Sequence, residues 1–446
     1  MSRVKKIYAS NSFKDILLRI SLLWIVLLSI PIQQDFYSIL LSLSWQYLLI
    51  DFYNLVTFLP HFFDKNSTIL DWTIYLGIAV ALALLWRSRQ PHLELNKWYY
   101  YLRIFSRYKL ASILLVAGFL KVFPLYVPEI SLSHLNTGYG YFQHWKHLLL
   151  SLSAAPAYLV FLGIVEVAAA ILLLFRRTAF LGVIFIIPFY GNVFLADLAY
   201  EGGDFLVSTY IVLLSLPVFV YDLGRLGRLI YHKAFTRPAA WHLEWNHSRW
   251  KKVRVVGKIS FAVVFFFVVG FKSYSAFRQQ QNLFYPQHKG LEGIVGKYWV
   301  KDFVLNGDTI APSPFENGRW KDVVFERWNT LSIRVNESIV VEEPASRLWP
   351  RQDSLRNYEY TQVGDRLYYT FQFSEQDSIL TLANRNKHYI ADSYRFQLSQ
   401  PDSNAVLLRG TNGRGDSLQV LLVYAKKKYL LEEVKKVGRR KVGYKL

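Results

Sequence analysis

Two ionisable side chains, Lys121 and Glu166, each fall inside an apolar run that is long enough to cross a membrane. A charged group in lipid is energetically costly, so each residue is a functional candidate by default. Lys121 lies 12 residues beyond the basic Lys109, and Glu166 lies 10 residues before Arg176, which places both at a similar depth on antiparallel neighbouring helices. The spacing therefore predicts an ion pair that offsets much of the desolvation cost of each group.

Further polar side chains lie at a comparable depth on the next two apolar runs. They are Tyr190, Asn192 and, nearer the outer surface, Asp197 on one run, with Thr209 and Tyr210 on the other. Together with the predicted pair they indicate one polar pocket that opens outward. The alternative is that a buried Lys–Glu pair with hydrogen-bonding neighbours only fixes the registry of the helices. The sequence is compatible with both the polar pocket and the purely structural pair.

The composition excludes several kinds of chemistry. The sequence has no cysteine and one methionine, Met1, which rules out disulfides, iron–sulfur clusters, Cys-ligated zinc and Met-ligated haem. No histidine falls within a predicted span, which argues against a bis-His haem. His144 and His147 belong to a predicted outer loop, and no metal site is predicted there. Any redox role needs an external cofactor, and the sequence favours a protein that is not an enzyme on its own.

The apolar runs predict seven membrane-spanning helices. The chain is 52% hydrophobic, which is too apolar for an ordinary soluble protein of 446 residues. Most of the runs are about as long as the roughly 17–25 residues that a spanning helix needs. They lie near residues 16–32, 71–86, 110–127, 154–175, 178–198, 204–222 and 255–272.

The basic residues predict the orientation of these spans. The N-terminal segment and the loops on one side carry 21 Lys and Arg residues, against two in the loops on the other side. The positive-inside rule therefore predicts a multi-pass protein of the bacterial inner membrane, with the N-terminus in the cytoplasm and the C-terminal part in the periplasm. The net charge of +20 is thus explained by basic loops at the cytoplasmic membrane surface, and no nucleic acid partner is predicted.

One apolar segment, residues 36–59, is not counted as a span. A span there would carry Asp51 through hydrocarbon and would move the basic residues of 87–109 to the outside. Its aromatic residues favour an amphipathic helix that lies on the outer membrane interface. The first apolar run has no cleavage site before Gln33, which predicts an uncleaved anchor.

After the seventh span the pattern changes to that of short strands separated by turns. Turn signals include Asn306-Gly307-Asp308, Glu316-Asn317-Gly318 and Asn412-Gly413. Regular short strands of this kind predict an antiparallel barrel or sandwich. The predicted strands are Tyr298–Val304, Val323–Trp328, Leu331–Val335, Tyr358–Thr361, Arg366–Phe373, Ile379–Leu382, Tyr394–Leu398, Ala405–Leu408 and Leu418–Tyr424.

The predicted organisation has four parts. Residues 1–104 form a two-span region with the outer amphipathic helix, and residues 105–225 form a four-helix core. Residues 226–288 comprise a basic cytoplasmic loop and the seventh span, and residues 289–446 form an outward-facing β-domain.

Within the four-helix core, Gly118-Phe-Leu-Lys121-Val-Phe and Glu166-Val-Ala-Ala-Ala-Ile-Leu-Leu-Leu-Phe-Arg-Arg resemble the DoxX family. The family's membrane core is a four-helix bundle with a Gly-x-x-Lys motif and a Glu on the next helix. The resemblance covers about residues 105–225. Leu132-Ser-His-Leu-Asn136-Thr137-Gly-Tyr-Gly is similar to the larger, Bacteroidetes-type members, and Gly296-Lys-Tyr-Trp299 resembles the opening of a lipocalin-like barrel.

The resemblance implies a membrane subunit rather than a particular reaction. Some DoxX relatives are subunits of thiosulfate:quinone oxidoreductases or partners in membrane redox complexes. The resemblance therefore implies quinone as the cofactor. By carry-over, Lys121 and Glu166 are the site positions, whereas thiosulfate chemistry does not transfer to a chain without thiols or an evident metal-binding cluster.

Two functions are therefore expected as alternatives. The first is a quinone-associated or non-catalytic membrane subunit of a redox or envelope complex. The second is a membrane-anchored periplasmic β-module that binds a lipid or a protein. The expected partners are membrane lipids and the other proteins of such a complex.

Overall fold

The chain forms two compact units. The helical unit comprises residues 1–126, 157–280 and 346–349, and the β-unit comprises residues 127–156, 281–345 and 350–446. The computed structural model describes residues 2–63, 66–91, 94–202, 205–233, 248–344 and 348–437. Much of the predicted basic loop between the sixth and seventh spans, residues 234–247, lies outside the described residues.

The helices follow the predicted apolar runs, with additional short helices between them. Six residues, Val263–Val268, form a π-helical stretch. In chain order the helices are α1 (Ser2–Ser29), α2 (Gln34–Leu41), α3 (Leu48–Val56), α4 (Ile69–Arg89), α5 (Leu95–Val122), α6 (Leu132–Leu135), α7 (His144–Ala154), α8 (Pro156–Leu174), α9 (Ala179–Ala199), α10 (Phe205–Tyr231), α11 (Ser248–Ala262), α12 (Val269–Arg278) and α13 (Leu430–Val437).

Five helical segments in the described part of the chain are long and apolar enough to cross a membrane. They are α4, α8, α9, α10 and the continuous segment Lys251–Arg278. A sixth candidate is the pair α1 and α2, which is bent by 56° at the break between them. The fold class is confirmed as a helical region with membrane-like helices followed by an antiparallel β-domain, and seven is only an approximate count of the spans.

The predicted third span corresponds to the second half of α5, which is a core helix. Every residue from Leu110 to Gly118 is buried, as in a helix that packs against neighbours on all sides. The helix ends at Val122, before the predicted end at residue 127. The reason is that the N–H groups of Leu125 and Tyr126 both turn back to the carbonyl of Leu120, at 2.7 and 3.0 Å.

The prediction of one amphipathic helix over residues 36–59 is wrong, because the segment contains two short helices. The chain leaves helical geometry after α2 and begins α3 at Leu48. α3 is not amphipathic in its burial, since eight of its nine residues are buried, including Asp51. At about 1.5 Å per residue, a nine-residue helix reaches only about 14 Å and is too short to span lipid.

The β-unit is built on a closed antiparallel barrel of eight strands. The strands are β1 (Gly296–Leu305), β2 (Asp308–Thr309), β3 (Asp322–Phe325), β4 (Thr330–Arg334), β5 (Arg366–Ser374), β6 (Ile379–Asn384), β7 (Ser393–Asp402), β8 (Ala405–Asn412) and β9 (Ser417–Tyr424). The strand order is β2-β1-β3-β4-β5-β6-β7-β8-β9, and β1 also pairs with β9 to close the barrel. The short β2 only pairs with the end of β1.

The Asn306-Gly307 turn confirms the turn chemistry expected from the sequence. Asn306 has a φ of 50° and Gly307 a φ of 94°, and both residues lie between β1 and β2. A two-residue hairpin with a type I′ turn needs positive φ at both central positions, which Asn-Gly adopts readily.

The predicted strand Tyr358–Thr361 is wrong. These residues form turns, in which the N–H of Thr361 donates to the carbonyl of Asn357. The carbonyls of Tyr358 and Thr361 accept hydrogen bonds from the ammonium group of Lys146 instead of from a neighbouring strand. A distant cation therefore replaces the pairing that the β-prone residue types suggest.

The barrel has an aromatic core of its own. Trp320 is 2% exposed, and its ring centroid lies 5.3 Å from Tyr394 and 6.0 Å from Phe396. Phe303 and Tyr369 belong to the same buried cluster. The barrel is thus stabilised by its own packed side chains.

Residues 127–156 belong to the β-unit, although the sequence analysis includes them in the four-helix core. They contain α6 and α7. The second part of the β-unit begins at residue 281, close to the predicted boundary at residue 289.

Candidate functional site

Two glycines allow α5 and α8 to approach closely. A Cβ atom added at Gly163 would lie 2.6 Å from the backbone nitrogen of Val122 and 2.7 Å from the carbonyl oxygen of Gly118. Small residues permit this backbone contact between membrane helices. Each glycine precedes an ionisable residue by three positions on the same helix face, so the crossing sets Lys121 against Glu166.

The two residues form a buried ion pair. Lys121 Nζ lies 2.5 Å from Glu166 Oε1, and the Tyr190 hydroxyl donates to the same oxygen at 2.7 Å. Glu166 is completely buried, and Lys121 and Tyr190 are 8% and 5% exposed. Three of the predicted site residues, from α5, α8 and α9, therefore meet at one carboxylate.

The Glu166 carboxylate uses its two oxygens very differently. Oε1 accepts from both Lys121 and Tyr190. Oε2 is buried and has no hydrogen-bond partner among the described residues. An ionised carboxylate oxygen acts only as an acceptor, so the hydrogen-bonding capacity of Oε2 is unused among the described residues.

Aromatic side chains pack beside Lys121, which lies in the last turn of α5. Its ammonium nitrogen is 4.5 Å from the centre of the Tyr126 ring, a distance that allows a cation–π interaction. The Tyr126 hydroxyl lies 3.4 Å from that of Tyr53. Trp349, which also belongs to the helical unit, stacks on Tyr53 with 4.1 Å between ring centroids.

The other predicted site residues differ in their burial and in their hydrogen-bond partners. Asp197 is buried and accepts a hydrogen bond from the Ser208 hydroxyl. The Tyr210 hydroxyl lies 2.6 Å from Ser29 Oγ and links α10 to α1. Asn192 is exposed. The Thr209 hydroxyl donates to the carbonyl of Phe205 in its own helix at 2.7 Å. Three of the seven predicted residues thus meet at the Glu166 carboxylate, whereas Asn192 is exposed and Tyr210 bonds to α1, so the single set expected from the sequence is not formed.

No family model, curated protein or solved structure matches the chain. The site is therefore interpreted from its own chemistry. Across the described residues, no group of three or more His, Asp or Glu side chains is arranged to hold a metal ion. His147 instead stacks on the ring of Tyr139, with 3.9 Å between centroids.

The helical unit contains a second buried ion pair, which was not predicted from the sequence. Arg19 in α1 is completely buried, and its Nε lies 3.0 Å from Asp15 Oδ1. Its Nη2 donates to the carbonyl of Gln90 at 2.8 Å, which ties α1 to the end of α4. The signal was present in the sequence as an Asp and an Arg four positions apart, which share one helix face.

A cluster of buried charges in the β-unit was also missed. The Glu326 carboxylate accepts from the N–H and the hydroxyl of Ser133 at 2.7 and 2.6 Å, which fastens α6 to the barrel. Lys146 in α7 is 1% exposed, and its ammonium nitrogen lies 3.6 Å from the centre of the Tyr358 ring. Glu359 accepts from the indole N–H of Trp328 at 3.1 Å. These residues are far apart in the sequence and carry no local signal.

Burial shifts the protonation of this cluster. It raises the pKa of Glu359 to about 8, and the negative charge of Glu326 acts in the same direction. Burial also raises the pKa of Glu326, against the hydrogen bonds from Ser133. It holds the pKa of Lys146 well below its usual range, opposed by the charge of Glu359.

The close crossing of α5 and α8 at Gly163 should be sensitive to any added side-chain atom. Gly163→Ala is expected to destabilise the full-length protein in detergent by roughly 1–3 kcal/mol, because the new methyl group meets backbone atoms of α5. Thermal unfolding followed by circular dichroism measures the effect. Gly191→Ala in α9 is the matched control, since no atom lies within 4 Å of an added Cβ there. Equal melting temperatures for the two variants would contradict the close crossing.

Proposed function

We propose that this chain is a DoxX-like integral protein of the bacterial inner membrane that serves as a quinone-associated subunit of a redox or envelope complex. Its N-terminus lies in the cytoplasm and residues 289–446 lie in the periplasm, in accord with the positive-inside rule. It is not an enzyme on its own, and it presents the quinone to a partner protein.

The observation that carries the proposal is the half-satisfied carboxylate of Glu166. An unsatisfied buried acceptor costs roughly 1–3 kcal/mol, so a pair that serves only to fix helix registry would be more stable with both oxygens bonded. Glu166 instead keeps Oε2 without a partner among the described residues. This unpaired acceptor supports the proposal that Glu166 binds a ligand with a hydroxyl group.

The hydrogen-bond donors and acceptors around Glu166 match the polar groups of a quinone headgroup. A bound quinone supplies two-electron chemistry coupled to the uptake or release of two protons. Glu166 Oε2 would accept a hydrogen bond from a hydroxyl of the reduced form. The Lys121 ammonium, which carries three donors, would use one of them for a carbonyl oxygen of the oxidised form. The ring of Tyr126 lies beside this ammonium group and would bound the headgroup on one side.

Quinone retained by the purified protein tests the proposal. Full-length protein extracted into lipid nanodiscs should carry quinone that mass spectrometry detects. Loss of one charged hydrogen bond of about 1.5–3 kcal/mol should reduce that content by at least about tenfold in Glu166→Gln. Glu94→Gln, which changes an exposed Glu near the start of α5, should leave it unchanged. Equal quinone content in Glu166→Gln and the control would refute quinone binding at this site.

The alternative function is a lipocalin-like periplasmic β-module, anchored by the helices, that binds a lipid or a protein. Its support is the self-contained barrel, whose aromatic core fills the space between the strands. Large apolar side chains are also exposed on the β-unit, including Trp299, Phe315 and Ile390 at 52%, 90% and 69%. The same quinone experiment separates the two functions, since the alternative requires no quinone at Glu166.

A further inference from the structure

One cavity in the helical unit is surrounded by positive charge. It has a volume of about 380 Å³ and lies between the first half of α5, the end of α8 and α11. Its lining contains no Asp or Glu. The cationic lining residues are Arg103, Arg107, Arg176, Arg254 and Lys258.

Structural roles account for only part of this charge. Arg107 donates from Nε and Nη2 to the carbonyl of Leu173, at 2.8 and 2.6 Å, and so caps the C-terminal end of α8. Arg103 stacks on Tyr221, with its guanidinium carbon 3.4 Å from the ring centre. Arg103 is 92% buried, yet its Nε has no hydrogen-bond partner in the described part of the chain. A buried donor without an acceptor is an incomplete site for an anion.

The rest of the lining suits an amphiphile. Tyr100 and Tyr108 provide hydroxyl groups, and Ile104, Val253 and Phe261 provide apolar surface. α11 continues beyond the cavity as part of an apolar segment of spanning length, only 6% of which is buried within the protein. Cations and apolar surface thus meet at one end of a helix that is suited to face lipid.

We propose that this cavity binds the phosphate headgroup of an acidic phospholipid. The phosphodiester accepts hydrogen bonds from the guanidinium groups, which present paired donors that match phosphate oxygens. Its negative charge relieves the mutual repulsion of the five cations, and the acyl chains extend along the apolar side of α11. Basic pockets between membrane helices hold lipid headgroups by this chemistry. The proposal does not depend on a quinone at Glu166.

Binding of short-chain lipids to the full-length protein in non-ionic detergent tests this site. Dioctanoyl phosphatidylglycerol is expected to bind at least about tenfold more tightly than the zwitterionic dioctanoyl phosphatidylcholine. The double variant Arg254→Gln/Lys258→Met should weaken the phosphatidylglycerol complex by about thirtyfold, because two cations of the lining are lost. The variant Arg254→Lys/Lys258→Arg, which keeps both charges, should retain binding if all variants unfold at the wild-type temperature.

The matched control is Lys251→Met/Lys252→Met, which removes the same charge from the same helix at positions outside the lining. It should weaken binding by less than about threefold, since bulk attraction alone contributes little at physiological salt. Equal losses in the two charge-removing doubles would overturn the site and leave only attraction to the basic surface. Inorganic phosphate and glycerol 3-phosphate that bind as tightly as phosphatidylglycerol would overturn the lipid assignment in favour of free phosphate.

Discussion

Lys121→Met and Glu166→Gln are each expected to destabilise the protein by roughly 3–5 kcal/mol, whereas the double variant should lose less than either one alone. The reason is the contact of 2.5 Å between a fully buried carboxylate and an ammonium group that is 8% exposed. Either single change leaves one charge or polar group without its partner in a low dielectric. The double change removes both, and thermal unfolding of the full-length protein in detergent should give a coupling energy of at least about 1 kcal/mol.

The exposed pair formed by Lys97 and Glu94 is the matched control for this cycle. It lies at the other end of α5, with 3.5 Å between its charged atoms. An exposed pair of this kind contributes only about 0.2–1 kcal/mol, so the same cycle there should show little coupling. Additive effects at Lys121 and Glu166 would contradict the buried contact. A stable double variant that loses bound quinone assigns the pair to a functional site, and one that keeps quinone assigns it to the scaffold.

The contact between Lys121 and Glu166 could be predicted because helical rise is regular. Counting residues from the basic ends of two antiparallel helices gives their depth without any knowledge of packing. The sequence also contains Gly118 and Gly163, each three positions before a charged residue. Because glycine has no side chain, these two residues let the helices approach closely.

Asn192 falls outside the predicted polar pocket for a reason that can be read from the sequence. Tyr190 and Asn192 are two positions apart, which is about 200° around a helix, so they cannot face the same neighbour. Tyr190 points to Glu166, and Asn192 is exposed. Depth in the membrane alone therefore selects too many residues as site candidates. The side of the helix on which each residue lies has to be considered as well.

The barrel strands were predictable because their signals are local. Alternating side chains and Asn-Gly turns specify hairpins between sequence neighbours. The attachment of α6 was not predictable, because Ser133 and Glu326 are 193 positions apart and each is an ordinary polar residue in its own surroundings. The same holds for Lys146, whose bonds to Tyr358 and Thr361 replace a predicted strand with turns.

The buried charges of the β-unit should make its stability depend on pH through Glu359. Burial raises the pKa of Glu359 from an ordinary 4.5 to about 8, so the folded state favours the protonated acid. A raised pKa gives a stabilising contribution that is fully present below the unfolded value and is lost as the pH rises through the folded value. The wild-type protein should therefore lose stability between about pH 5 and pH 8 relative to a variant that cannot ionise at this position.

Glu359→Gln provides that comparison, because its amide keeps the shape of the side chain without a titrating proton. Melting of the β-sheet signal in circular dichroism should show the wild type losing on the order of 2–4 kcal/mol relative to Glu359→Gln between pH 5 and pH 9. The lowered pKa of Lys146 acts in the opposite direction, since that contribution is lost as the pH falls, and the charge of Glu359 opposes that lowering. The difference between the two proteins therefore measures the titration of Glu359 together with its effect on Lys146. Glu375→Gln, an exposed change just after β5, should follow the wild-type pH profile. Parallel profiles for wild type and Glu359→Gln would mean that the Glu359 carboxyl group is solvated in the folded protein, and the buried cluster at that end of the barrel would be contradicted.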